Sequence, residues 1–287
     1  MVLIADSAVQ LSPETLDELG VSVVEYPMFL NGEPYPVSIR MSRAEKDELR
    51  RLLKDKDNKV TTSGLREEDL VALYERHKGE RILSLHQSSR ASSATAAVVR
   101  KIVSERKDLD VTYLDSWHLT GAYSALVQDT ALAIREGLSY EEVIARFESA
   151  RAATRHLGVV YDLFYLHRTG RIGLAKAVFG SAMKIIAILS SSEEPGVLKS
   201  IGKVKNHVQA NQRFASIIRE DMEARGAKRI SAVISVIGPH EEEAEHLKRA
   251  VEGLGYEAAI TLSYTNHSNM AHAGPDFYDI GYIAHID

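Results

Sequence analysis

The sequence has no cysteine among its 287 residues, which excludes disulfide bonds, thiolate nucleophiles and cysteine-ligated zinc. Long apolar runs are missing as well, because no stretch approaches the ~18 residues needed to span a bilayer. No cluster of lysine and arginine stands out, and a net charge of −5 argues against a nucleic-acid partner. The first residues enter an apolar run ended by Asp6, without the basic segment of a secretory signal. We therefore expect a cytoplasmic protein with no transmembrane segment.

Conventional catalytic motifs are absent too. The sequence has no GxSxG elbow, no Walker A loop and no HExxH zinc motif. Its 11 histidines follow no metal-ligand spacing, and His267 and His272 stand in a Gly/Asn-rich segment expected to be a loop. Asp6 and Asp115 could form a carboxylate pair, although Asx-type turns at strand ends are the commoner role of aspartate. We therefore expect no catalytic residue, no metal and no cofactor.

Short apolar runs alternate with amphipathic segments in the first half of the chain. The runs "VLIA", "VSVVEYPMFL", "RILSLH" and "VTYLDS" are typical of strands. Two capping boxes, Ser42 with Glu45 and Ser139 with Glu142, mark helix starts between and after them. Strands separated by helices predict βαβ units and a parallel sheet. We therefore expect residues 1–156 to form a three-layer α/β/α domain.

The second half has a different pattern. "LGVVYDL" is typical of a strand, while "KIIAILSS" and "VLKSIGKVK" flank Pro195 and Gly196, which predicts a hairpin. A long helix, a strand, a helix and another strand follow. We expect residues 157–287 to form a second α/β domain, in which a mixed sheet is covered by helices.

Small polar residues follow several of the predicted strands. The ligands of open parallel sheets bind outside the carboxyl ends of the strands, so these residues are expected to meet at one rim. A helix beginning at Ser92 or Ser93 would also aim free N–H groups at that rim, which favours a carboxylate or a phosphate. Each stretch taken alone is better explained by capping and turns. The four stretches are Asp6-Ser7, Thr61 to Gly64, Ser88 to Thr95 and Asp115-Ser116.

Six short motifs occur in a characteristic order along nearly the whole chain. They are "ADS" after the first strand, "TS" before a helix, "SSxxS" after a later strand, then "LDS", "GRIG" and "HAGP". In this order and spacing the chain resembles the DegV family of bacterial proteins. The resemblance implies two α/β domains with a long-chain fatty acid in a tunnel between them. It also implies a carrier rather than an enzyme, which in some members presents the acid to a separate kinase subunit.

The resemblance assigns roles to particular residues. Thr62 and Ser92 fall on the positions that hold the fatty-acid carboxylate, with Ser63 and Ser93 beside them. Arg171 and His272 fall on positions that serve the surface for the partner and for phosphotransfer. A buried C16 chain such as palmitate would gain roughly 10 kcal/mol, at ~0.8 kcal/mol per methylene, before ordering costs. The candidates for the tunnel lining are Phe29, Phe164, Met183 and the segment from Ala177 to Leu189.

The chain also departs from the family pattern. A side chain at Ser93, where the family has glycine, is expected to shrink the carboxylate site or to add a hydroxyl. Asp276, where the family also has glycine, is expected to add negative charge beside His272. Further departures are Gly64-Leu65, Ala94, Thr169 and "KIIA" from Lys184.

Two other interpretations stay open at the level of sequence. The fold implied by the resemblance is similar to that of dihydroxyacetone-kinase substrate subunits, which hold a small carbonyl compound through a histidine, and His272 could do so here. Alternatively, Arg171 and His272 form a surface that only docks a partner. A short polar pocket would favour the carbonyl compound, and a long apolar tunnel would favour the fatty acid.

Overall fold

The computed structural model describes residues 1–171, 186–194 and 196–286. Within these ranges the strands form three sheets. The strands are β1 (Val2–Asp6), β2 (Val21–Val24), β3 (Met28–Leu30), β4 (Glu33–Tyr35), β5 (Val60–Thr62), β6 (Ile82–His86), β7 (Val111–Asp115), β8 (Thr154–Val160), β9 (Ile186–Ser190), β10 (Lys199–Val204), β11 (Arg229–Ile237), β12 (Glu257–Tyr264) and β13 (Phe277–His285). The helices are α1 (Pro13–Leu19), α2 (Arg43–Lys54), α3 (Glu67–Arg76), α4 (Ser93–Glu105), α5 (Thr120–Arg135), α6 (Tyr140–Ala153), α7 (Phe164–Arg168), α8 (His207–Arg225), α9 (Glu241–Glu252) and α10 (His267–Ala273).

The first sheet is parallel, with strand order β2-β1-β6-β7. Its central strands β1 and β6 are almost wholly buried, as expected for a parallel sheet with helices on both faces. Both predicted capping boxes are confirmed: Ser42 and Glu45 start α2, and Ser139 and Glu142 start α6. The predicted α/β class with a parallel sheet is therefore confirmed.

The second sheet is mixed, with strand order β10-β9-β8-β13-β11-β12. Strand β13 lies at its centre and runs antiparallel to both of its neighbours. Helices α8 and α9 cover one face, where Ile234 and Ile280 pack against Phe214. Helices α5 and α6 contact the opposite face, where Val233 and Ile283 pack with Leu126. The prediction of a mixed sheet covered by helices is confirmed, with two of those helices supplied by the first half of the chain.

Helix α5 approaches the second sheet more closely than any side chain would permit. A Cβ atom placed on Gly281 would lie only 1.8 Å from the backbone nitrogen of Ala122. One residue earlier, Gly121 N–H donates a hydrogen bond of 3.0 Å to the buried carboxylate of Asp279. Two glycines and one aspartate therefore fix the amino end of α5 on β13.

Several local predictions differ from the structure. The run "VSVVEYPMFL" is two strands in different sheets, because Pro27 lacks the N–H that a continuing ladder needs. Its second part, β3, joins β4 and β5 in a small antiparallel sheet that the sequence pattern did not indicate. The predicted hairpin is confirmed by the antiparallel pair β9 and β10, although Pro195 lies outside the described residues. The segment around His267 and His272 is helix α10 rather than a loop.

The predicted domain boundary between residues 156 and 157 falls within β8. The division into 1–156 and 157–287 stays a prediction. Most of the proposed tunnel segment, residues 177–185, lies outside the described ranges. Across the parts of the chain that the structure describes, no helix is both long enough and apolar enough to cross a membrane.

Candidate functional site

A cavity of about 170 Å³ lies where the loop after β5, the start of α4 and the helix α10 come together. We call it the hydroxyl pocket, because serine and threonine side chains form much of its wall. The six residues predicted from the sequence to form the ligand and partner sites all line it: Thr62, Ser63, Ser92, Ser93, Arg171 and His272. The remaining lining residues are Tyr26, Gly64, Gln87, Ala91, Ala94, Leu119, Thr120, Leu166, Leu198, Ser268, Asn269 and Ala273.

Thr62 and His272 form one side of the hydroxyl pocket. The Thr62 hydroxyl lies 2.9 Å from His272 Nε2, at hydrogen-bonding distance. Thr62 is placed there by β5, where it pairs with Met28 of β3. His272 is placed by α10, which is tied to the loop after β1: Ser268 Oγ and Asn269 Nδ2 donate to the backbone carbonyls of residues 7 and 8.

The ring of His272 is uncharged near neutral pH. Burial lowers its pKa to about 4, and the neighbouring Arg171 cation acts in the same direction. The ring nitrogen Nδ1 is buried without a hydrogen-bond partner among the described residues. A neutral imidazole has one donor and one acceptor nitrogen. His272 can therefore add one more hydrogen bond to a ligand without bringing a charge into the pocket.

Ser92 forms the opposite side, at the N-cap position of α4. Its Oγ does not cap the helix but donates to Thr95 Oγ1 at 2.8 Å. Thr95 Oγ1 and Gln87 Nε2 both donate to the hydroxyl oxygen of Tyr26, at 3.3 and 3.1 Å. Burial raises the pKa of Tyr26, so its hydroxyl keeps its proton. Ser92 thus belongs to a chain of neutral hydroxyls, next to the free N–H groups of the first turn of α4.

The residues beside Thr62 and Ser92 are more open. Ser63 and Ser93 are exposed, and Ser63 Oγ donates to the carbonyl of Gly64 at 3.1 Å. Gly64 packs tightly on the start of α4, since a Cβ atom there would lie 2.8 Å from the Cβ of Ala94. The two departures Gly64 and Ala94 are therefore in contact, and the missing side chain of one leaves room for the methyl group of the other.

Arg171 lies at the mouth of the hydroxyl pocket and is exposed. Its guanidinium donates to the backbone carbonyls of Ala91 and Thr169, at 3.2 and 2.5 Å. Asp276 is directed elsewhere, because its carboxylate forms an ion pair of 2.7 Å with Arg50. The negative charge expected beside His272 is therefore paired with an arginine of α2.

Two of the four polar stretches line the hydroxyl pocket, and Asp6 and Asp115 do not. Asp6 and Asp115 accept hydrogen bonds from backbone N–H groups two residues ahead, which confirms the Asx-type role. Asp6 also accepts from the backbone N–H of Gln87 and thereby supports a lining residue from behind. Thr62 reaches the pocket from the small antiparallel sheet rather than from the parallel one. Sequence reasoning missed Tyr26 and Gln87 as lining residues. Gln87 directly follows the parallel strand β6, and Tyr26 lies two residues after the parallel strand β2.

The comparisons with known proteins agree with this architecture. Residues 1–285 match the family model described as "Uncharacterised protein, DegV family". A DegV domain-containing protein of Halalkalibacterium halodurans is 29% identical over 239 residues, which cover 82% of this chain and 81% of the relative. The solved structure described as "Fatty Acid Binding of a DegV family Protein from Thermus thermophilus" has a TM-score of 0.85 and 24% identity, with 99% of each chain covered. A fatty-acid (stearic acid)-binding protein from Eubacterium ventriosum has a TM-score of 0.84 and 19% identity, covering 99% of this chain and 98% of that one. These two likenesses show the fold, and the match over residues 1–285 shows that the chain belongs to the DegV family.

Proposed function

We propose that this protein is a cytoplasmic carrier that binds a long-chain fatty acid, with the carboxylate in the hydroxyl pocket. The observation that carries the proposal is the presence of Thr62 and Ser92 on one cavity that also receives the amino end of α4. The structures from Thermus thermophilus and Eubacterium ventriosum are of proteins described as binding a fatty acid, and they share this fold.

The pocket offers hydrogen bonds in place of the water that a carboxylate would lose. A buried carboxylate without partners would be strongly destabilised. Here the hydroxyls of Thr62 and Ser92 can turn to donate, and the first turn of α4 adds backbone N–H groups and the positive end of a helix dipole. In this proposal Ser63 and Ser93 supply further hydroxyls at the edge. The neutral ring of His272 holds Thr62 in place, or donates from Nδ1 itself.

The acyl chain requires apolar surroundings. Leu119, Leu166 and Leu198 lie on the described wall of the pocket, from which the chain would extend between segments 1–156 and 157–287. A palmitate-length chain would gain roughly 10 kcal/mol of burial, at ~0.8 kcal/mol per methylene. The acid is the cargo of this carrier, which needs no catalytic residue and no cofactor to hold it.

We extend the proposal to a partner. The exposed guanidinium of Arg171 is positioned for a kinase subunit that would phosphorylate the presented carboxylate. His272 would act on the ligand side of this surface, because it lines the pocket and its Nε2 contacts Thr62. Arg171→Ala should then weaken association with such a subunit while leaving the bound fatty acid in place.

The decisive experiment is solvent extraction of the purified protein followed by mass spectrometry. We expect a long-chain fatty acid at near-equimolar amount in the wild type and at least a several-fold lower amount in Thr62→Ala and Ser92→Ala. Ser104→Ala is the matched control, since Ser104 lies on α4 but donates to a backbone carbonyl away from the pocket. A wild-type protein that carries no fatty acid and does not take up added palmitate would end the proposal.

Two observations favour a second candidate function: Nδ1 of His272 has no partner among the described residues, and the hydroxyl pocket has a modest volume of about 170 Å³. Both suit a small carbonyl compound held by the histidine. This function predicts saturable binding of dihydroxyacetone that His272→Ala abolishes. Calorimetry with wild-type protein and no heat of binding would dismiss it.

A further inference from the structure

A second cluster of chemically active side chains lies at the starts of α8 and α9, among residues that do not line the hydroxyl pocket. His207 is the first residue of α8, His240 is the N-cap of α9, and Glu243 lies in the first turn of α9. Each offers one ligand atom, and the three atoms lie within 4.8 Å of one another. The spacing of 33 residues between the histidines follows no known motif, so the fold alone brings them together.

The distances within this cluster suit a tetrahedral metal ion. His207 Nε2 lies 3.3 Å and His240 Nδ1 lies 3.8 Å from the same oxygen, Oε1 of Glu243. Zinc binds histidine nitrogen and carboxylate oxygen at about 2.0–2.2 Å, so two ligands at a tetrahedral angle are about 3.3 Å apart. Because the three ligand atoms lie within 4.8 Å of one another, the side chains would have to close by at most about 1.5 Å around an ion.

The hydrogen bonding of the cluster is incomplete. His240 Nδ1 and Glu243 Oε2 are buried, and neither finds a hydrogen-bond partner in the parts of the chain that the structure describes. Buried polar atoms are nearly always partnered, so two unpartnered atoms in one cluster indicate a missing ligand. The side chains remain 12–31% exposed, which leaves a path for an ion to enter.

A tyrosine supports both histidine rings. The hydroxyl of Tyr161 lies 2.8 Å from His207 Nδ1, and its ring stacks on that of His240 with centroids 4.2 Å apart. When His207 Nδ1–H donates to the tyrosine oxygen, the lone pair of Nε2 faces Glu243. Metal-binding histidines commonly donate their second N–H in this way, which fixes the tautomer and the ring orientation.

One electrostatic effect opposes a metal ion at this place, because the amino end of a helix carries a partial positive charge. In this cluster the first turn of α9 carries three glutamates, including Glu243, and they offset the helix dipole. From these observations we infer that His207, His240 and Glu243 form a binding site for Zn²⁺ or a similar transition-metal ion. Two imidazoles and one carboxylate form a known three-residue zinc set with one open position, whereas Mg²⁺ and Ca²⁺ prefer all-oxygen ligands.

The test is calorimetric titration of tag-free, EDTA-treated full-length protein with zinc chloride. We expect one Zn²⁺ per chain, bound at least ~10-fold more weakly by His207→Ala, His240→Ala and Glu243→Gln. Tyr161→Phe should weaken binding ~10-fold without removing a ligand atom. Co²⁺ should give the intense visible absorption of a four-coordinate site in the wild type and lose it in Glu243→Gln, which keeps the side-chain shape.

His246→Ala is the matched control, because His246 also lies on α9 and is 54% exposed outside the cluster. This variant should bind Zn²⁺ within two-fold of the wild type, and Mg²⁺ should give no binding. The inference is overturned if the three ligand variants bind Zn²⁺ as tightly as the wild type, or if His246→Ala loses as much affinity as they do. Thermal melting of each metal-free variant, matched to that of the wild type, ensures that lost binding does not reflect lost folding.

Discussion

The contact between α5 and β13 allows a sharp prediction for Gly281→Ala. The added Cβ would lie 1.8 Å from the nitrogen of Ala122 and 2.1 Å from its Cα, and both are backbone atoms that cannot rotate away. Ordinary contact begins at 3.4 Å, so the amino end of α5 would have to retreat by roughly 1.6 Å. The hydrogen bond from Gly121 to Asp279 would then break, because it is already 3.0 Å long.

The loss of stability in Gly281→Ala follows from the backbone overlap and from the broken hydrogen bond. Overpacking of a core costs about 1–3 kcal/mol, and losing a hydrogen bond to a buried charge costs about 1.5–3 kcal/mol. We therefore expect the free energy of unfolding to fall by about 3–5 kcal/mol, which in a chain of this size lowers the Tm by about 5–8 °C. The retreat would also displace Leu119 and Thr120, which line the hydroxyl pocket, so less fatty acid should be retained.

The assay is urea denaturation followed by circular dichroism, with Gly202→Ala as the control. Gly202 also lies in a strand of the second sheet, but a Cβ there would meet no atom within 4 Å. The control should match the wild type or gain up to about 1 kcal/mol from a less flexible unfolded chain. A Gly281→Ala variant within about 0.5 kcal/mol of the wild type would refute the close-packing argument.

Two further predictions concern acid sensitivity and the wall of the hydroxyl pocket. Burial lowers the pKa of His118, His267 and His272 to about 4, so between pH 6.5 and 4 the unfolded chain binds more protons and stability falls as the pH falls. Each histidine contributes up to about 1.4 kcal/mol per pH unit, and His118→Gln should flatten the pH dependence of the urea midpoint; an unchanged slope would contradict this. Gly64→Ala should cost about 1–3 kcal/mol through its clash with Ala94, whereas Gly64→Ala with Ala94→Gly should recover most of the loss. Strictly additive effects of the two substitutions in thermal melts would show that they do not touch.

The elements that were predicted correctly depend on local interactions. The capping boxes at Ser42 and Ser139 act within one helical turn, so their signal is complete in four residues. The alternation of strands and helices in the first half likewise predicts a parallel sheet from short-range patterns. The structural features that were not predicted depend on contacts between distant parts of the chain. The pairing of β3 with β5 rests on a partner strand about 30 residues away, which hydrophobic periodicity does not reveal.

In the candidate site too, the residues within short motifs were predicted and those that depend on distant contacts were not. Resemblance in the short motifs identified Thr62, Ser92, Arg171 and His272, and the fold brings all four to one pocket. Tyr26 was not predicted, because its hydrogen bond with Thr95 joins residues 69 positions apart and no sequence motif indicates such a contact. The cluster of His207, His240 and Glu243 was missed for the same reason, since its residues come from two helices and show no ligand spacing in the sequence.

The central position of β13 has a consequence for synthesis in the cell. Strands β8 and β9 are complete at Ser190, yet the strand that joins them to β11 begins only at Phe277. That strand emerges roughly 90 residues later, a delay of about 4–18 s at the ~5–20 residues per second of translation. During this interval two half-sheets carry unpaired edges, which are templates for aggregation. The nascent chain should therefore depend on chaperones more in its second half than in its first, where β1 and β6 are paired by residue 86.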